Sequence, residues 1–374
     1  MQEIMGRNLK EARELAGFSQ ESFAEKLGVS RATLSSIENG HTPIDSTRLL
    51  MAARILGRPV SDFFRNDQEA LALLYRAAVD QSAPQDVLTK FERFCKAYRE
   101  LEEIVDVADS LIPPPDYSYF PGSHSKPDQY AAQVAFSERE RLGLGQRDPI
   151  DNIFKLLEDQ GVRIHFHRIE GQDVFGLSAY SRRYGLCILL NSANTVERQI
   201  FSLAHEYGHL LLHRALFQTT APAAGLDKES EVEMMASIFA ANFLVPESGL
   251  REVFLKDIGK EKIGLEDIVF LKKYFKVSAQ VMLRRLKELK LIRVGEAENL
   301  LTEIAARVAL DQEFVPLSED LRAEWQEVSR FQHLARKVAL GEMASLGKLA
   351  ELLGLNVVQV RKQVQEWRRE IAFA

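Results

Sequence analysis

Apolar positions in the first part of the chain recur at spacings of three and four, the signature of short amphipathic helices. Leu9, Ala12 and Leu15 form one such stripe, which Gly17 interrupts. Ser19 and Gly28 bracket "QESFAEKLG", and Ser30 and Gly40 bracket "RATLSSIENG". A serine before a helix accepts from its free first-turn amides, and a glycine after it adopts the left-handed conformation that ends the helix. Pro43 opens a turn before "STRLLMAARILG", so the first 66 residues read as five helices.

The same spacing persists in "EALALLYRAAV" and "QDVLTKFERFCKAYRELEEIVDVADSL". It predicts long helices over about 68–111, read as a spacer or dimerisation arm. "IPPPDYSYFPGSHSKPD" stops them, because successive prolines remove amide donors and hold their predecessors extended. Two helices are predicted within 129–161. The pattern then shortens to "VRIHFHRI", "VFGLSAYS" and "GLCILLN", three runs rich in β-formers and separated by turn residues, which predict a small sheet. Helical spacing resumes at about 195 and runs nearly to the end. The fold class expected is therefore mostly α with a small β-sheet (α+β).

At about 100–200 residues per domain, 374 residues imply two or three domains. A net charge of -6 argues against a surface that coats nucleic acid everywhere, but leaves room for one local contact face. Cys95 and Cys187 are the only cysteines, which suggests neither a disulfide scaffold nor a cysteine metal site and fits a reducing cytoplasm. The N-terminal segment lacks the apolar run of a signal peptide, and no stretch reaches about 18 apolar residues, so a cytoplasmic protein without a membrane span is expected.

A helix, a three-residue turn and a second helix beginning at Ser30 form the arrangement in which one helix braces another in a DNA major groove. Phe23, Ala24, Leu27, Val29, Leu34 and Ile37 supply the bracing contacts. Ser30, Arg31, Thr33 and Ser36 remain outward, as short or basic donors suited to phosphates and base edges. The segment from "SQESFAEKLG" through "SRATLSSIENG" to "ILGRPVSDFF" resembles the XRE (lambda-repressor-like) helix-turn-helix domain. The resemblance implies a double-stranded operator as partner, with Gln20, Arg31, Thr33 and Ser36 as contacts and Asn39 on the backbone. Near-balanced charge in this domain makes a homodimer the expected route to affinity and half-site spacing.

The second constellation is "RQIFSLAHEYGHLLLH". Residues four apart on a helix share a face about 6 Å apart along the axis, so His205 and His209 can reach one ion while Glu206 stands beside it, placed to accept a proton from water. Zinc in a catalytic site takes a third protein ligand. His213 lies about 12 Å beyond His205 on a straight helix, too far to share the ion, and reads as structural. A third histidine ten residues after the first is absent, since that position is Ala215. Glu229 and Glu233, four apart in "DKESEVEMMASIFAANFLVP", are the open candidates.

The stretch from "AFSERERLGLGQRDPIDNIFKLLEDQGVRIHF" through "HEYGHLLLH" to "EVEMMASIFAANFLVP" resembles the ImmA/IrrE zinc metallopeptidases. That resemblance implies a zincin-like α+β domain, Zn2+ as cofactor, His205 and His209 as ligands, Glu206 as the catalytic carboxylate, and an acid before "FA..FLVP" as third ligand. Imidazole and carboxylate donors also admit other divalent metals. Members carry an acid or amide where this chain has Met235, which moves the ligand role to Glu233, with Glu229 next. The implied substrate is a repressor-like protein of the XRE type, a copy of this chain cut near its prolines being one form of it.

The expected domains are 1–67, a helix-turn-helix domain; 68–112, a helical linker or dimerisation arm; 113–128, a proline-rich linker; 129–255, the zincin-like domain; and 256–374, a C-terminal helical module with helix-turn-helix-like pairs. Within that module Arg284, Arg285, Arg361 and Lys362 are secondary DNA candidates, although packing or partner docking is the plainer use of such pairs. Trp367 reads as a core anchor. The function expected is a DNA-binding transcriptional regulator fused to a zinc-dependent endopeptidase. The alternative is a repressor or antitoxin-like regulator whose zincin domain senses or dimerises without turnover.

Overall fold

The computed structural model describes residues 2–15, 18–56, 60–64, 84–108, 110–119, 126–170, 174–181, 183–214, 228–259, 263–308 and 313–372. The helix expected over 69–79 lies outside these residues. The chain divides into two compact units, Met1–Leu71 and Ala72–Ala374.

The first unit contains α1 (Gln2–Leu15), α2 (Gln20–Leu27), α3 (Arg31–Glu38), α4 (Ser46–Leu56) and a 3-10 turn at Val60–Phe64. The punctuation read from the sequence is what forms it. The Ser19 side chain accepts from the Ser22 amide, Gly28 ends α2 at φ 66°, and the Ser30 side chain accepts from the Thr33 amide. Leu9, Phe23, Leu27, Leu34, Ile37, Ala52 and Phe63 close a small core. A buried carboxylate, Glu38, braces that core: Arg13 donates to it twice, at 2.7 and 3.1 Å, and the Gln20 amide once, at 2.8 Å.

The second unit contains α5 (Gln85–Ile104), α6 (Pro127–Arg141), α7 (Ile153–Asp159), β1 (Val162–His167), β2 (Gly176–Ser181), β3 (Gly185–Asn191), α8 (Val196–Leu212), α9 (Lys228–Leu244) and α10 (Glu247–Val253), the last continued by a π turn at Phe254–Ile258. Seven more helices follow: α11 (Leu265–Phe275), α12 (Ala279–Glu288), α13 (Val294–Ala305), α14 (Asp320–Val328), α15 (Arg330–Leu340), α16 (Leu346–Leu353) and α17 (Val357–Ala372). The three predicted strands form one sheet of order β1-β3-β2, with β1 parallel and β2 antiparallel to the central strand.

"GLCILLN" is apolar at every interior position because both faces of β3 are covered. Leu186, Ile188 and Leu190 face the core that α8 and α9 share, while Cys187 and Leu189 join Val87, Phe91 and Cys95 of α5 on the other side. The helix expected as a linker or dimerisation arm is thus built into this unit. Its next turns, through Ala97, Tyr98 and Leu101, pack against Leu334, Val338, Leu349 and Trp367 of the last helices. Buried polar bonds reinforce the join. Glu102 of α5 pairs with Arg163 of β1 at 2.6 Å and with Arg330 of α15, and Glu158 of α7 accepts from Trp325 at 3.1 Å and from the Arg330 amide at 2.9 Å.

The main core runs without a break from Ala131 to Trp325, so it crosses the boundary expected at 255/256. Lys272 of α11 shows how tightly. Its buried ammonium pairs with Glu197, in the first turn of α8, at 2.9 Å and donates to the carbonyls of Phe314 and Val315 at 3.0 and 2.8 Å. Arg285, a DNA candidate in the sequence, is buried and donates to the Val245 carbonyl and the Asn242 side chain.

Candidate metal centre and nucleic-acid interface

Helix α8 begins where Thr195 accepts from the Arg198 amide and ends at His213. A helix leaves its last carbonyls without partners, and here they are met from a distance in sequence. The Leu211 and Leu212 carbonyls accept from the Tyr117 and Tyr119 amides at 3.0 and 2.7 Å, and Arg214 donates to the carbonyls of Pro114 and Pro115. The proline-rich segment expected as a linker is therefore fastened along 113–119 to the end of the histidine helix.

Two glycines allow close approach at the site. A Cβ on Gly208, inside "HEYGH", would stand 2.9 Å from Cδ1 of Phe239, so only a glycine lets α9 lie this near to α8. A Cβ on Gly176 would stand 3.1 Å from Cγ of Glu206, so the edge strand β2 passes directly against that carboxylate's side chain. On the far side of α8, the buried Tyr207 hydroxyl donates to the Glu138 carboxylate of α6, and burial beside that carboxylate pushes the phenol well above its usual range.

With α9 drawn in, Glu233 reaches both histidines. His205 Nε2 lies 3.0 Å from Glu233 Oε2, His209 Nε2 lies 3.2 Å from Glu233 Oε1, and the two Nε2 atoms lie 3.1 Å apart. Their exposure is graded, from 1% at His209 through 17% at His205 to 48% at Glu233, so the group opens on the carboxylate side. Donors about 2 Å from a tetrahedral ion are about 3.3 Å apart, and the observed separations fall within a few tenths of an ångström of that. Two imidazoles and a carboxylate would hold a tetrahedral ion with one position open to water or substrate, and Glu206, 8% exposed, is the neighbouring carboxylate.

The outward ring nitrogens are held as well. His205 Nδ1 lies 3.3 Å from Ser237 Oγ, and His209 Nδ1 lies 3.0 Å from His213 Nδ1. His213 stands behind His209 rather than beside the donor group, as its helical distance required. Ser237 was missed in the sequence, yet it lies four residues after Glu233 and so on the same face of α9. Met235, two residues after Glu233, points about 200° around the helix and is buried in the core. A helix that turns Glu233 to the histidines cannot also turn residue 235 to them. The side chain of Glu229 lies outside the described residues.

In the first unit, Arg31 and Thr33 are exposed on α3 and Ser36 is half-buried. The hydroxyls of Thr33 and Ser36 bond within the unit, to Ser30 at 2.8 Å and Thr42 at 2.7 Å. Gln20 has its amide nitrogen on Glu38, which leaves its carbonyl oxygen outward-capable. Arg31 has no side-chain bond to any described residue, so its whole guanidinium is available.

Residues 9–63 match the helix-turn-helix family profile, and residues 157–287 match that of the IrrE N-terminal-like domain of peptidase family M78. Residues 9–63 thus form an XRE-type helix-turn-helix domain and residues 157–287 an IrrE-like domain, joined in one chain. The IrrE-like match spans β1 to α12 and so takes in both histidines, Glu206 and Glu233. A propionyl-CoA carboxylase regulator from Cereibacter sphaeroides is 34% identical over 74 residues, 20% of this chain and only 16% of that regulator's length. Two solved structures align over most of the fusion. The apo competence regulator ComR from Streptococcus vestibularis shares 14% identity over 87% of this chain and 98% of its own, with a TM-score of 0.16. PlcR from Bacillus thuringiensis, in complex with the peptide PapR7 and DNA, shares 14% over 88% and 99%, with a TM-score of 0.18. Likenesses this weak carry neither fold nor function. No helix among the described residues is long and apolar enough to cross a membrane.

Proposed function

We propose that this protein is a homodimeric, cytoplasmic transcriptional regulator whose second unit is a zinc-dependent endopeptidase acting on a repressor-like partner. The observation that carries the reading is the meeting of His205, His209 and Glu233 from two helices, with Glu206 beside them. The domain division read from the sequence is kept as a division of roles: operator contact in 1–67, peptide chemistry centred on 129–255, and support from 68–128 and 256–374.

When bound, a divalent ion supplies Lewis acidity, polarising a peptide carbonyl and making water acidic enough to deprotonate. The histidines and Glu233 hold their donors in register, with Ser237 and His213 fixing the two rings. Glu206 takes the proton from the attacking water and passes it to the leaving amine nitrogen. Its burial against β2 excludes bulk water from that exchange. On the DNA side, Arg31 donates to a base edge or phosphate, with Gln20, Thr33 and Ser36 completing the contact.

The purified full chain is expected to contain one zinc per protein by mass spectrometry. Glu206→Gln should keep the metal and lose at least about 100-fold in partner cleavage. Lack of stoichiometric metal, or cleavage untouched by the substitution, overturns the peptidase reading. The name of the curated relative favours regulation as such. A regulator that senses without cutting would give the same salt-sensitive operator footprint with Glu206→Gln and cleave no cellular protein.

A further inference from the structure

Several arginines of the second unit are held by polar partners: Arg139 donates to three carbonyls, and Arg163, Arg285 and Arg330 each pair with acids or carbonyls. Arg198 is different. It is exposed in the first turn of α8, and its guanidinium makes no ion pair or hydrogen bond with any described residue. Its carbon instead lies 4.6 Å from the centroid of Phe175, a ring that is itself 39% exposed. A cation in the first turn of a helix opposes the helix dipole, so helix stability gives no reason for this arginine.

The backbone beneath the ring is held by hydrogen bonds. The Phe175 carbonyl accepts from the Asn191 amide at 3.1 Å. The buried Asn191 side chain clamps the chain before it, donating to the carbonyls of Ile169 and Val174 at 2.9 Å each and accepting from the Ile169 amide at 3.0 Å. The next residue is Gly176, against Glu206. Arg198 also precedes His205 by seven residues, two helical turns, which puts both on one face of α8 about 10 Å apart along the axis. An exposed, unpaired, planar cation lying over an aromatic ring therefore stands two helical turns before His205 on the same helix. Its free donors form the fork that a carboxylate fills.

We propose that Arg198, seated on Phe175, is a specificity-determining contact that takes the carboxylate of an Asp or Glu in the substrate peptide. An extended chain advances about 3.3 Å per residue, so the acid falls about three residues from the scissile bond, on the side that runs toward the N-terminus of α8. The register rests on the peptidase reading; the anion contact does not.

The test uses the full chain, zinc-loaded, and a complex mixture of peptides from a proteolysed cell extract. Wild type, Arg198→Gln and Arg198→Glu are compared for cleavage sites by mass spectrometry. Immobilised Glu206→Gln and Glu206→Gln/Arg198→Glu are compared for the peptides they retain. Wild-type sites are expected to be enriched in Asp or Glu about three residues from the cut, on one side only. The enrichment falls by about tenfold in Arg198→Gln, the worth of one hydrogen bond to a charged group, and turns toward Lys or Arg in Arg198→Glu. Cleavage without acidic enrichment, or enrichment unchanged by Arg198→Glu, overturns the proposal. If no variant cuts any peptide, the peptidase reading fails, and the retained peptides decide. Acidic peptides held by Glu206→Gln and lost from the double variant uphold the contact, and identical retention removes it.

Discussion

Helices α3 and α8 each carry one of the two proposed sites, α3 on its exposed face and α8 on its buried one. On α3, Ser30, Arg31 and Thr33 are exposed while the apolar side closes the core, so function and folding use different surfaces of one short helix. On α8 almost every residue is buried, His209 and Glu206 among them, and the third donor arrives from α9. The first arrangement can change its contacts without endangering its core. The second has its chemistry set into the core, so whatever holds the helix also holds the site.

The largest effect should come from the anchor of α8. Lys272→Met leaves Glu197 as a buried carboxylate without its cation and is expected to destabilise the second unit by about 3–5 kcal/mol. Urea unfolding of the full chain should show that transition moving to lower denaturant while the transition of the first unit stays in place. If the two move together, the units are not energetically separate and the contrast between α3 and α8 loses its meaning.

A smaller effect is expected one contact away from the donors. His213→Ala removes the partner of His209 Nδ1 and should weaken zinc binding by about 10–100-fold, read by competition with a chromogenic chelator. Unchanged affinity would mean that the buried helix, and not its outer contacts, orients the ring. The smallest effect belongs to α3. Ser30→Ala removes the side-chain cap on the Thr33 amide and should cost about 1 kcal/mol in the first unit, with no change in zinc content.

The same contrast explains what could be read from the sequence. Ser19, Gly28 and Ser30 mark helix ends through bonds to residues no more than four or five positions away, so the first unit was legible almost to the residue. The pair His205 and His209 was legible for the same reason, being one helical turn apart. The choice of Glu233 over Glu229 came from the family resemblance and not from spacing, because it depends on how α9 is rotated against α8, which Gly208 and Phe239 set across 31 residues of sequence. Lys272 and Glu197 are 75 residues apart and carry no local pattern. Nothing in the periodicity of 85–104 separates a helix that pairs with a second copy from one that fills its own chain's core, since both require the same apolar stripe.

The placement of α5 bears on what a cut near the prolines would do. The segment 113–119 lies between α5 and α6 in the chain, and a break there severs only the backbone. Phe91 and Cys95 would still sit against β3, Leu101 against the last helices, and Glu102 between Arg163 and Arg330. The N-terminal fragment would stay attached as a nicked assembly and would part only as fast as α5 is extracted. Separation of the pieces after such a cut is thus a matter of dissociation kinetics and not of hydrolysis alone.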